Sequence, residues 1–136
     1  MAFSGGCQCG AIRYEVKGEP AFAAICHCDD CRRSSGTAFA TNVFVKADDL
    51  AVVKGKTKAF AHPTASGSTM TREFCPDCGS PLFGHSSAGS GMRAVRVGSL
   101  DDASFVKPGV EVWTMRKLPF VHLLEDTQHF EKNRPR

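Results

Sequence analysis

A mainly β domain built from short antiparallel strands is the fold class that this 136-residue sequence predicts, and three observations carry it. Short runs alternate apolar and polar residues with the two-residue period of a strand that has one buried face. Glycine, proline and small polar residues separate these runs, as tight connections require. No segment sustains the periodicity of a long amphipathic helix. The length is that of one ordinary domain, so residues 1–130 are expected to form a single unit. The polar, basic stretch EKNRPR at 131–136 is expected to be a frayed tail.

Along the chain, AIRYEV (11–16) sets Ile12, Tyr14 and Val16 against Arg13 and Glu15. Similar runs follow as PAFAAI (20–25), AFATNVFV (38–45), KAFAH (58–62), TMTREF (69–74), MRAVRV (92–97) and GVEVWTM (109–115). HPTASGST (62–69) and HSSAGSGM (85–92) read as surface loops. Only KADDLAVVKG (46–55) has the composition for a helical turn. Trp113 and the ten phenylalanines are expected in the core.

Hydrophobic residues make up 42% of the chain and charged residues 23%, which places it among folded globular proteins and away from disordered ones. The opening MAFSGGCQCGAIRY lacks the basic and apolar regions of an export signal, and no later window is apolar enough to span a membrane. A soluble, cytoplasmic protein is the expectation. Lysine and arginine exceed the acidic residues by a formal +3. Seven thiolates on two divalent ions would cancel that excess, so charge predicts no nucleic-acid partner.

Seven cysteines are an odd number, which speaks against a complete disulfide framework; in a reducing compartment such closely spaced thiols bind metal or do redox chemistry. They fall into GGCQCG (Cys7, Cys9), ICHCDDCRRSSG (Cys26, Cys28, Cys31) and FCPDCGSPLF (Cys75, Cys78). A C-x-x-C followed by glycine is a zinc-knuckle pattern, because glycine accepts the left-handed backbone that turns both sulfurs toward one point. Cys7, Cys9, Cys75 and Cys78 are therefore assigned to one closed, structural zinc that staples the first strands to the middle of the chain. A redox dithiol would come with a βαβ pattern, which is absent.

Cys26, Cys28 and Cys31 remain, one ligand short of a closed site. Either His27, His62 or His85 completes a second inert site, or the fourth position is open, as in catalytic zinc centres. Three thiolates leave the ion's site with a net negative charge, which acidifies bound water less than neutral histidines do. Such a soft site suits an incoming thiol, bound as thiolate. Arg32 or Arg33 could hold a substrate carboxylate, and Ser34, Ser35 and Gly36 could offer backbone N–H groups as an anion nest. His27 is a weaker candidate for carrying a proton.

At GGCQCGAIRYEV, CHCDDCRRSSGTAF, FCPDCGSPLF and VRVGSLDD, in that order, the sequence resembles the glutathione-dependent formaldehyde-activating enzyme family, which includes centromere protein V relatives. The resemblance covers most of the chain. It implies a β-tent fold with two zinc ions, one structural on Cys7, Cys9, Cys75 and Cys78, the other catalytic on Cys26, Cys28 and Cys31. It also implies a carbon–sulfur lyase chemistry, the addition of glutathione to formaldehyde to give S-hydroxymethylglutathione. Phe120 in KLPFVHLLED departs from the family pattern, where a tryptophan is expected after the proline. The sequence therefore reads as a zinc enzyme acting on a small thiol, with Arg32, Arg33, Ser35 and Gly36 as substrate contacts. The other reading is a non-catalytic zinc module that binds protein or nucleic acid, which would need a basic or aromatic stripe that the chain lacks beyond its tail.

Overall fold

A computed structural model describes residues 1–89 and 91–135; Ser90 of the expected loop at 85–92 and Arg136 of the tail lie outside the described residues. The chain is mainly β, in two sheets. The smaller has β1 (Ala2–Gly6), β2 (Arg13–Lys17) and β5 (Leu50–Lys54), all antiparallel, in the order β1-β2-β5. The larger contains β3 (Phe22–Cys26), β4 (Ala40–Lys46), β6 (Lys58–Pro63), β7 (Thr69–Phe74), β8 (Pro81–Ser86), β9 (Met92–Arg96), β10 (Val110–Val112) and β11 (Gln128–His129). Its order is β11-β10-β3-β4-β9-β8-β7-β6.

Each expected run became a strand, and the antiparallel expectation holds everywhere except at β10, which lies parallel to both β3 and β11. Parallel neighbours need long crossovers: β3 and β10 are joined through α1 and β4 to β9, and β10 and β11 through the largely irregular residues 113–127. KADDLAVVKG gives only a short 3-10 turn at Ala47–Asp49 before running into β5.

Alternation along the strands divides the larger sheet into two faces. Val43, Val95 and Phe83 stand opposite one another on one face and pack, with Val45 and Leu82, against Ile12, Tyr14 and Val16 of the smaller sheet. Tyr14 and Phe83 meet edge to face, ring centroids 4.9 Å apart. The other face carries the register Ala24, Asn42, Arg96, and two residues along β3 from Ala24 stands Cys26.

Of Trp113 and the phenylalanines expected in the core, only Phe83 is fully buried; Phe22, Phe60 and Phe120 are 40%, 61% and 73% exposed, and Trp113 and the other phenylalanines are half-buried. Phe22 instead stacks on Phe44 at a sheet surface, with the Arg134 guanidinium 5.6 Å from its ring. The tail expected to fray beyond 130 carries hydrogen bonds as far as Asn133. Lys132 accepts from the Trp113 N–H at 3.1 Å, and Asn133 accepts from the Trp113 indole at 2.8 Å. Among the described residues, no helix is long and apolar enough to cross a membrane.

The segment after Cys26 was not expected to be helical, yet α1 (Asp29–Ser35) forms there. Its local signals are strong. Cys28 is the N-cap and its Sγ accepts the Cys31 N–H at 3.2 Å, while Asp29 and Asp30 sit in the first turn. Gly36 closes the C-terminus at φ 68° with its N–H on the Arg32 carbonyl at 3.0 Å. At seven residues the helix is too short for a periodic pattern to be legible.

Candidate functional site

Two tight turns build the first cysteine cluster. Between β1 and β2, the Gly10 N–H returns to the Cys7 carbonyl at 3.3 Å with Gly10 at φ 81°. Between β7 and β8, Gly79 does the same to Cys75 at 2.9 Å with φ 77°. These are the left-handed glycines that the C-x-C-G and C-x-x-C-G patterns require. The ligand atoms of Cys7, Cys9, Cys75 and Cys78 all lie within 4.8 Å of one another, and none of these thiols is in a disulfide. The Ile12 N–H points to Cys7 Sγ at 3.2 Å.

Thiols this close cannot all ionise unaided. Cys78 is held at about 5, first by the Ser80 hydroxyl. Cys9 is pushed up to about 12: the Ala11 N–H lowers it, but Cys7 leads the groups that outweigh this. A cation among the sulfurs would let all four be thiolates, and an all-sulfur set fits a soft divalent metal.

The second cluster forms where β3 ends and α1 begins. Cys26 is the last residue of β3, paired with Ala40 on one side and Val112 on the other, and the His27 N–H continues the ladder to the Val112 carbonyl at 3.1 Å. Cys28 caps α1 and Cys31 is buried in its first turn. Their sulfurs also lie within 4.8 Å of one another. Among the described residues no histidine nitrogen or carboxylate oxygen joins them. The three histidines considered as fourth ligands are engaged elsewhere. His27 Nε2 is 2.9 Å from Glu111 Oε1, His62 Nε2 accepts from Arg72 Nε at 2.9 Å, and His85 Nδ1 pairs with Arg93. Cys31 is held down to about 2, first by Cys26, then by Cys28, with the charges of Arg72 and Arg96 helping, while Cys26 is pushed far up, chiefly by Cys28 and Cys31. This donor set again fits a soft metal, with three protein sulfurs.

Arg96 links this centre to its surroundings. It is only 7% exposed and donates to Asn42 Oδ1 at 3.1 Å and to Ser34 Oγ at 3.3 Å. Ser34 Oγ in turn donates to the Cys31 carbonyl at 3.3 Å. A cleft of about 740 Å³ is lined by Cys7, Gln8 and Ser80 of the first cluster's turns together with Ser35, Thr37 and Arg96.

Of the residues read as substrate contacts, Ser35 lines this cleft, whereas Arg32, Arg33 and Gly36 line a shallower depression of about 430 Å³ with Phe120. The N–H nest expected from Ser34 to Gly36 is absent, because these residues end a helix, where carbonyls face outward and the Gly36 N–H is already bonded. Arg72, Arg96, Asn42 and Glu111 went unread in the sequence. Arg96 did leave a signal: it shares the phase of Met92 and Ala94, so its side chain falls among partly covered neighbours.

Comparison with known proteins agrees with this geometry. The family model for glutathione-dependent formaldehyde-activating enzymes matches residues 2–116, which contain both cysteine clusters. A Halomonas elongata protein provisionally named as such an enzyme is 32% identical over 87 residues, and the match spans 61% of this chain but only 55% of that protein. A Rhodobacter sphaeroides protein of known crystal structure superposes with a TM-score of 0.59 at 28% identity, covering 77% of this chain and 91% of its own. The chain belongs to the glutathione-dependent formaldehyde-activating enzyme family.

Proposed function

We propose that this protein is a zinc-dependent carbon–sulfur lyase that adds the thiol of glutathione to formaldehyde at the Cys26, Cys28 and Cys31 centre. The observation that carries the reading is the sulfur count. Three thiols converge there with no fourth protein ligand among the described residues, whereas four converge at the other centre. Bound zinc would supply a Lewis-acidic position at which a thiol stays ionised near neutral pH.

The protein's own groups do the rest. Cys26, Cys28 and Cys31 hold the metal on a strand end and a helix cap, both rigid elements. Arg96, Ser35 and the cleft they line receive the remainder of the substrate. In the net reaction a sulfur–carbon bond forms and the carbonyl π pair moves to oxygen. That oxygen takes up the proton the thiol gave up, and the product is S-hydroxymethylglutathione. Cys7, Cys9, Cys75 and Cys78 hold a second, structural zinc that secures the 1–130 unit. Free thiols in ligand-like sets favour a reducing compartment, the cytoplasm.

The experiment is exchange-sensitive NMR of formaldehyde and glutathione with the zinc-loaded protein. Hemithioacetal formation should run faster than its spontaneous background and return to background with Cys28→Ser. An unaltered background rate in protein holding two zinc ions would leave a metal-stapled binding module as the better account.

A further inference from the structure

Two arginines stand on one face of the larger sheet with no carboxylate bonded directly to them among the described residues. Register places Arg72 opposite Gly84, Gly84 opposite Ala94, and Arg96 two residues beyond Ala94, directly opposite Asn42. Asn42 faces Ala24, and Cys26 follows two residues later, so both arginines share the face that carries Cys26. Arg13 and Arg32 pair with Asp101 and Asp29. Arg96 donates to the oxygens of Asn42 and Ser34 and lies close to the Cys31 side chain, and Arg72 Nε donates to His62 Nε2, whose other ring nitrogen is 4.0 Å from Asp30 Oδ2.

A buried guanidinium facing neutral groups is costly unless a counter-charge lies close. No carboxylate plays that part among the described residues. The sulfur cluster does: Arg96 is braced through Ser34 against the helix turn that carries Cys31. A divalent ion on three thiolates has a net charge of −1, and an anionic ligand in the next position makes it −2. Accumulating negative charge in a half-buried site is unfavourable unless cations offset it. Arg72 and Arg96 are placed to offset it.

We propose that Arg96 and Arg72 are specificity-determining residues of the three-cysteine centre, selecting an anionic incoming ligand over a neutral one. The inference deepens the thiol-addition reading and rests on it for the identity of the natural ligand, a thiolate. Charge selection itself is open to test with other anions.

The full-length protein is loaded with cobalt, and its visible absorption is titrated separately with azide, imidazole and glutathione. In Arg96→Gln, azide affinity should fall about tenfold, the size expected for removing one unit charge several ångströms away in a medium of intermediate dielectric. Imidazole affinity should hold, and Arg96→Lys should recover most of the azide loss. Arg72, partly exposed, offers a second variant that spares the core. If Arg96→Gln loses cobalt or melts early, the azide-to-imidazole ratio of Arg72→Gln decides.

Equal losses for azide and imidazole, or no loss for either, overturn the inference. Glutathione that leaves the wild-type spectrum unchanged, while azide still depends on the arginines, overturns the thiol reading and leaves charge selection standing. Glutathione that binds wild type and both glutamine variants alike overturns charge selection and leaves the thiol reading standing.

Discussion

His27 Nε2 lies 2.9 Å from Glu111 Oε1, and both residues are 1% exposed. His27 sits between Cys26 and Cys28 in sequence and Glu111 lies on β10, so this contact clamps the three-cysteine loop to a strand from the far end of the chain. The other carboxylate oxygen accepts the Leu124 N–H at 2.8 Å and the Thr127 hydroxyl at 2.7 Å. Burial raises the Glu111 carboxyl, but His27, Thr127 and Leu124 outweigh it and hold the group below the usual range. Glu111→Ala strands these donors in the interior and should cost about 3 kcal/mol. Glu111→Gln keeps an acceptor and should cost visibly less. Urea unfolding of both variants with the wild-type slope checks this; equal losses would mean that shape, not hydrogen bonding, holds the contact.

The two cysteine centres should differ in what they support. Cys75 is fully buried between β7 and β8 and meets Cys9 across the molecule, Sγ to Sγ at 3.8 Å. Cys26, Cys28 and Cys31 are local, joined by a single strand-to-helix turn. Cys75→Ser should therefore lower the melting temperature sharply, and Cys28→Ser only slightly, because only the first opens a connection between distant segments. Matching melting curves would make both centres structural.

Metal should leave in two phases. Four sulfurs outcompete three for the same ion, so a chelator with a colorimetric readout should strip the Cys26, Cys28 and Cys31 centre first. A single phase coincident with unfolding would contradict the unequal sites.

Acid should weaken the edge of the smaller sheet. Asp101 accepts two hydrogen bonds from Arg13 and one from Ser4, and Arg13 leads the contacts that hold its carboxyl down at about 2. A carboxyl lowered on folding stabilises the fold in full above its unfolded value of about 4, and that contribution disappears as pH falls through about 2. Both side chains are exposed, so the effect is modest and salt-sensitive. Stability profiles of wild type and Asp101→Asn should converge toward pH 2 and separate above pH 4, with Asp101→Asn the weaker; parallel profiles would exclude the pair.

Much of this was legible in advance because strand alternation and metal-ligand spacing are local signals. AIRYEV fixed the inward Tyr14 and Val16, and the C-x-x-C-G pattern placed Gly79 where a left-handed turn was needed. Burial that depends on distant segments left no such mark. Glu111 stands between two valines and reads as solvent-facing, but the segment around 124–129 covers it. Arg32 and Arg33 attracted attention by adjacency to Cys31, yet a helix turns them toward the depression beside Phe120, while Arg96, remote in sequence, reaches the site.

The parallel placement of β10 also sets an order of assembly. Every sulfur of the four-cysteine centre has been synthesised once Cys78 emerges, and β1, β2, β7 and β8 can close around it early. The three-cysteine turn is complete sooner still and β4 follows to pair with β3, but its parallel partner β10 and the Glu111 contact come only with residues 110–129. A chain ending before residue 110 would thus keep the three thiols beside β4 but lack the strand on their other side. Because such long-range pairing forms slowly, β10 is expected to join the sheet late and to cover the far side of the three-cysteine segment only then.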